Sequence, residues 1–150
     1  METQLLIDNQ ARAAKAGATF ERRHPTTGAV VTRAAAADVG DALAAVESAS
    51  TAFATWRNSP PSERRRILLK AADALEARTP AFIEAMAAEV GASQLWAGFN
   101  VYLAANLFRE AASLATQIQG ETIPTDKPGA LSMTVRQPVG VILSFVPWNG

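Results

Sequence analysis

Pro138-Val139-Gly140-Val141-Ile142-Leu143-Ser144-Phe145-Val146-Pro147-Trp148-Asn149-Gly150 is the stretch on which the fold class turns. From Val139 to Val146 apolar residues occupy both parities and branched side chains are frequent, the pattern of a strand covered on both faces. Such strands belong to parallel sheets. A strand of that kind needs hydrogen-bonding neighbours and cover on each face. Only Pro147 to Gly150 follow it here. The expectation is an α/β protein of which these residues are a portion, with the partner strands supplied by further chain.

Moving outward, Leu131, Met133 and Val135 alternate with Ser132, Thr134 and Arg136, the period of a strand with one wet face. Before it, from Asp38 to about Gln119, the apolar period is helical. Val39, Leu43, Val46, Phe53 and Trp56 form one stripe, stopped at Asn58-Ser59-Pro60-Pro61 because proline removes backbone donors. A second helix is predicted with Ile67, Leu68, Ala71, Ala72 and Leu75 inward. Thr79-Pro80 starts a third, with Phe82, Ile83, Met86 and Val90 inward and Gly91 as its stop. The fourth runs from Gln94 to about Ile118, with Leu95, Phe99, Tyr102, Leu103, Leu107, Leu114 and Ile118 as its inner stripe and Gly120 closing it. Near the amino terminus Leu5 to Asp8 and Ala29 to Thr32 read as short strands of a hairpin-like segment, with His24-Pro25-Thr26-Thr27-Gly28 as the turn. Ala34 to Ala37 reads as a short alanine run at the start of the first helix.

Composition narrows the function classes. The 150 residues carry 14 basic and 14 acidic side chains, so there is no electrostatic footprint for nucleic acid or an anionic membrane. The absence of cysteine excludes a disulfide, a thiolate zinc site and a cysteine nucleophile within these residues. His24, the one histidine, precedes Pro25 in a turn and has no partner at ligand spacing, so no metal site is expected. Glu63-Arg64-Arg65-Arg66 spreads charge around a helix and reads as a solvated, ion-paired face. Met1 to Ile7 lacks a basic segment and an apolar core long enough for export or insertion, which points to a cytoplasmic protein.

The ordered string Pro138-Val139-Gly140, apolar strand, Pro147-Trp148-Asn149 resembles the aldehyde dehydrogenase superfamily. The likeness extends back through Gly120-Glu121-Thr122-Ile123-Pro124, Ser62-Glu63-Arg64, Ala52-Phe53 with Trp56, and Pro25-Thr26-Thr27-Gly28. It implies the amino-terminal part of that fold. Residues 1–119 would be a hairpin and the helical part of a Rossmann-like cofactor domain, residues 120–137 an oligomerisation segment, and residues 138–150 the first parallel strand with its Pro-Trp-Asn motif.

The resemblance further implies oxidation of an aldehyde to its acid with NAD, or NADP. In the family a Cys thiolate attacks the carbonyl, the thiohemiacetal gives hydride to the nicotinamide, and a Glu-activated water frees the acid. Asn149 matches the oxyanion asparagine, although Asn-Gly is also a common turn pair. Phe145, Val146, Pro147 and Trp148 match positions lining the ribose and nicotinamide end of the cofactor. Phe145-Val146 departs from the usual Ile-Thr type, leaving main-chain contacts, and Trp148 serves equally well as core packing. Gly150 stands where many relatives carry a bulky aromatic, which would open the tunnel to a planar ring. Trp96 would face that ring, or else pack between helices. The partners so implied are a small aromatic aldehyde and further copies of the chain, as a homodimer or homotetramer. Two other classes share the motifs or the helices: a non-catalytic truncated homologue and a helical interaction module.

Overall fold

In the computed structural model residues 1–146 are described, and Pro147 to Gly150 lie outside them. Five short strands come first: β1 (Glu2–Thr3), β2 (Leu5–Ile7), β3 (Gln10–Arg12), β4 (Thr19–Arg23) and β5 (Val30–Ala35). Four helices follow, α1 (Val39–Trp56), α2 (Pro61–Ala77), α3 (Thr79–Val90) and α4 (Gln94–Leu114), and then β6 (Thr122–Ile123) and β7 (Ser132–Met133).

The turn at His24–Gly28 is where the sequence places it, and its geometry follows from its residues. Gly28 takes a φ of 70° and the His24 imidazole Nδ1 accepts from the Thr26 amide at 3.2 Å. The strand pairing differs from expectation. β5 pairs antiparallel with β4 and parallel with β1, whereas Leu5–Ile7 pairs with Gln10–Arg12 across Asp8 and Asn9, both at φ 56°. Asp and Asn tolerate that left-handed conformation, so Asp8-Asn9 makes a tight hairpin where only one strand was predicted. Ala34 and Ala35 belong to β5, because the helix cannot start before its cap.

That cap is Asp38, whose carboxylate accepts from the Asp41 amide at 2.9 Å while Asp41 accepts in return from the Asp38 amide at 3.1 Å. The buried Asp41 also accepts from the Lys15 amide at 3.1 Å, tying the preceding loop to the first turn of α1. Thr79-Pro80 begins α3 and Gly91 ends it at φ 68°, as the sequence predicts, and α2 begins at Pro61, the last residue of the stop predicted for the first helix.

The packing of the helices reverses one expectation. Ala97, Val101, Ala105 and Ala112 are the buried residues of α4, while Leu95, Phe99, Tyr102, Leu103, Leu107, Leu114 and Ile118 are exposed. Recurring at four and seven, the small residues form a second apolar face. They let α4 come close to α2, where Ala72 is fully buried, and to α3, whose Ile83 lies 3.7 Å from the place a Cβ would take at Gly98. Val39, Leu43, Val46 and Trp56 of α1 are likewise exposed, as are Ile67 and Phe82. Arg109 fastens α4 to α2 through Glu76 at 2.6 Å and Asp73 at 3.2 Å.

Four further corrections concern the carboxyl-terminal part. α4 ends at Leu114, four residues short of expectation, with the Gln117 amide turning back to the Leu114 carbonyl at 2.9 Å. Gly120 is therefore no cap: a Cβ there would stand 2.0 Å from the Thr134 carbonyl oxygen, so glycine permits the crossing of two chain segments. The strand predicted at 131–137 contracts to β7, paired with β6. Residues 139–146 form no strand; among the described residues none pairs with them, and an extended segment without a neighbour has no ladder to join. Among the described residues no helix is long and apolar enough to cross a membrane.

Candidate substrate and cofactor site

Trp96 lies in the first turn of α4, and the local sequence fixes where that turn starts. Gly91 stops α3 in the left-handed region, Ala92 carries the chain over, and Ser93 caps α4 by accepting from the Trp96 amide at 3.3 Å. The indole remains 44% exposed and stacks on Phe99, with centroids 5.6 Å apart and planes inclined by 28°. Asn100 donates its side-chain amide to the Trp96 carbonyl at 2.8 Å. Trp96, Phe99 and Leu103 continue along an exposed face, an open aromatic surface suited to another flat apolar group.

Phe99 was expected inside the helical layer and is instead the ring partner of Trp96. Its spacing of three from Trp96 on a helix was the available signal. Phe145 and Val146 are strongly exposed, at 85% and 82%, on the segment that forms no strand. Their side chains offer no hydroxyl, so what they can give a dinucleotide is main-chain donors and acceptors together with apolar contact. Pro147, Trp148, Asn149 and Gly150 lie outside the described residues.

The displaced titrations lie elsewhere. Hydrogen bonds from Arg66 hold the Glu63 carboxyl below its ordinary value, and those from Arg109 do the same for Glu76, in each case against desolvation. Both are ion pairs of helix surfaces, not proton-transfer groups. Arg64 departs from the expected solvated face: its guanidinium lies 5.9 Å from the Trp56 ring centroid and donates to the Arg57 carbonyl at 3.0 Å. No group of three or more His, Asp or Glu side chains able to hold a metal ion occurs among the described residues.

Short amino-terminal strands, four helices of which α3 packs on the β4–β5 hairpin, a β6–β7 ribbon and an apolar segment leading to Pro-Trp-Asn together define the amino-terminal part of a dehydrogenase fold of the α/β class. The chain belongs to the aldehyde dehydrogenase family, which it matches over residues 12–150. It is 63% identical to salicylaldehyde dehydrogenase of Pseudomonas putida over all 150 residues, and 54% identical over 149 residues to vanillin dehydrogenase of Pseudomonas fluorescens. In each case the alignment covers 31% of the relative, so the chain spans about a third of the length of these proteins. The crystal structure of a salicylaldehyde dehydrogenase from Pseudomonas putida G7 complexed with salicylaldehyde superposes with a TM-score of 0.91 at 61% identity, over 93% of this chain and 29% of that one.

Proposed function

We propose that the protein oxidises an aromatic aldehyde, salicylaldehyde or a close relative, to the carboxylic acid with NAD, or NADP, as hydride acceptor. The observation that carries this reading is the 0.91 superposition on a structure that holds salicylaldehyde, over a segment that includes an exposed, stacked Trp96. NAD-dependent benzaldehyde dehydrogenase of Corynebacterium glutamicum, 29% identical with a TM-score of 0.79, supports the same cofactor and substrate classes.

In this reading the Trp96 face receives the aldehyde's ring, and Gly150 leaves the space that a larger residue would fill. The Asn149 side-chain amide donates to the oxygen that becomes negative as the carbonyl is attacked. Phe145, Val146, Pro147 and Trp148 border the cofactor mainly through the backbone and apolar contact. The 150 residues contain no cysteine, so the nucleophile would belong to further chain, and in this reading the general base does too. We further assign residues 120–137 to oligomer formation, as a homodimer or homotetramer, residues 1–119 and 138–150 to the cofactor domain, and the protein to the cytoplasm.

The test is a comparison of kcat/KM for salicylaldehyde, benzaldehyde and acetaldehyde in the complete enzyme, with NAD and then NADP. A preference for the two aromatic substrates is expected. Equal or greater efficiency with acetaldehyde would overturn the substrate assignment.

A further inference from the structure

Glu89 is placed unusually for a residue in the last turn of a surface helix. Its Oε1 accepts from the Thr32 hydroxyl at 2.7 Å and its Oε2 meets the Arg22 Nε at 3.2 Å, so one carboxylate holds β4 and β5 together against α3. Thr32 is 2% exposed, and a buried hydroxyl with a charged acceptor is a strong and directional contact. Two residues later Gly91 turns the chain in the left-handed region, and a Cβ there would stand 3.0 Å from the Pro25 Cγ of the β4–β5 turn. The elbow between α3 and α4 is therefore held to the hairpin at two points, by the carboxylate and by the close approach of Gly91 to Pro25. Ser93, two residues further, begins the helix that carries Trp96.

We propose that Thr32 and Glu89 are positioning residues for aromatic-substrate recognition, setting the place of Trp96 through the α3–α4 elbow. This inference rests on the reading of Trp96 as the ring-facing residue. Neither Thr32 nor Glu89 touches the aldehyde in it; they fix the height and direction from which α4 departs. A loss of the contact would move the indole while leaving the reacting groups, which sit on other segments, where they are. Stacking geometry is more demanding than apolar burial, so a flat ring senses the displacement and a two-carbon aldehyde does not.

The experiment measures KM and kcat of the complete enzyme for benzaldehyde and acetaldehyde in Thr32→Val, Thr32→Ser, Trp96→Ala and the Thr32→Val/Trp96→Ala pair. Thr32→Val should raise KM for benzaldehyde about 2- to 10-fold, the span of one stacking contact, and leave acetaldehyde kinetics and both kcat values in place. Thr32→Ser, which keeps the hydroxyl, should restore the parent KM. In the double variant the Thr32→Val effect should vanish, because the residue it acts through is gone. Should Thr32→Val fail to fold, Glu89→Gln takes its part, keeping the volume while weakening the link to Arg22. Equal KM changes for both aldehydes, or a Thr32→Val effect that persists without Trp96, would overturn the proposal. A Trp96→Ala variant that treats the two aldehydes alike would instead overturn the assignment of Trp96 itself.

Discussion

Asn149 and Trp96 carry the two residue-scale claims, and they fail in different ways. An amide that donates only to a developing oxyanion contributes to the transition state and little to binding, so Asn149→Ala should lower kcat by about 10² to 10³ with a small change in KM. Single-turnover hydride transfer, followed at the NADH absorbance, reads this directly, and an unchanged rate removes Asn149 from the chemistry. A stacking ring contributes to ground-state binding, so Trp96→Ala should raise KM for benzaldehyde about 2- to 10-fold more than for acetaldehyde. Ordinary helix packing would affect both alike. The two residues also differ in how far sequence reaches them. Asn149 is legible because Pro-Trp-Asn is a string with an order. Trp96 has no such context, and what favours it is structural: its exposure and its stack on Phe99.

At the scale of elements, helix starts follow from chemistry local to a few residues, which is why Pro60-Pro61, Thr79-Pro80 and Gly91 mark boundaries that the structure keeps. Which face of a helix turns inward is not local. α4 has a large apolar stripe and a small one, and close approach to α2 selects the alanines, leaving the leucines outside. β1, β3 and β4 are too polar and short to announce themselves, and residues 139–146 read as a strand because their pattern specifies burial that their present surroundings do not provide. The start of α1 depends on Asp41 more than on Asp38, since Asp41 serves the Lys15 and Asp38 amides together. Asp41→Ala should cost about 1 to 3 kcal/mol and Asp38→Ala about 1 kcal/mol in unfolding of the complete protein. Faster hydrogen exchange at the Lys15 and Asp38 amides, confined to Asp41→Ala, would locate the difference. The α2–α4 contact makes a pH prediction. Arg109 depresses the Glu76 carboxyl, so the pair's contribution is present above the ordinary carboxylate value and fades as pH falls through the lower folded value. An NMR titration of Glu76 in Arg109→Ala should return its pKa upward to that ordinary value; an unmoved titration would mean that the pair does not form in solution.

For the whole molecule the decisive quantity is surface. A compact protein of 15.8 kDa is expected to expose about 7,300 Å², whereas this chain exposes 11295 Å². The excess is not evenly spread. It includes Leu95, Tyr102 and Leu107 on α4, Val39 and Leu43 on α1, and Val139, Ile142, Leu143, Phe145 and Val146, all apolar and more than half exposed. Apolar surface of this extent is normally covered by other protein. In the proposed reading the cover would come from the rest of the cofactor domain, from the catalytic part and from neighbouring copies. The same reading leaves the 150 residues without a nucleophile. Produced alone, the 150-residue chain should therefore bind the dye ANS strongly and associate in a concentration-dependent way by light scattering. It should also form no NADH from salicylaldehyde. The complete enzyme should bind little ANS, scatter light as one defined oligomer at every concentration, and form NADH from salicylaldehyde. Turnover by the isolated chain would break the thiol mechanism, because no cysteine is present to start it. A monomeric, ANS-silent chain would show instead that its apolar faces close on one another, and the assignment of residues 139–146 to a sheet completed by further chain would have to be withdrawn.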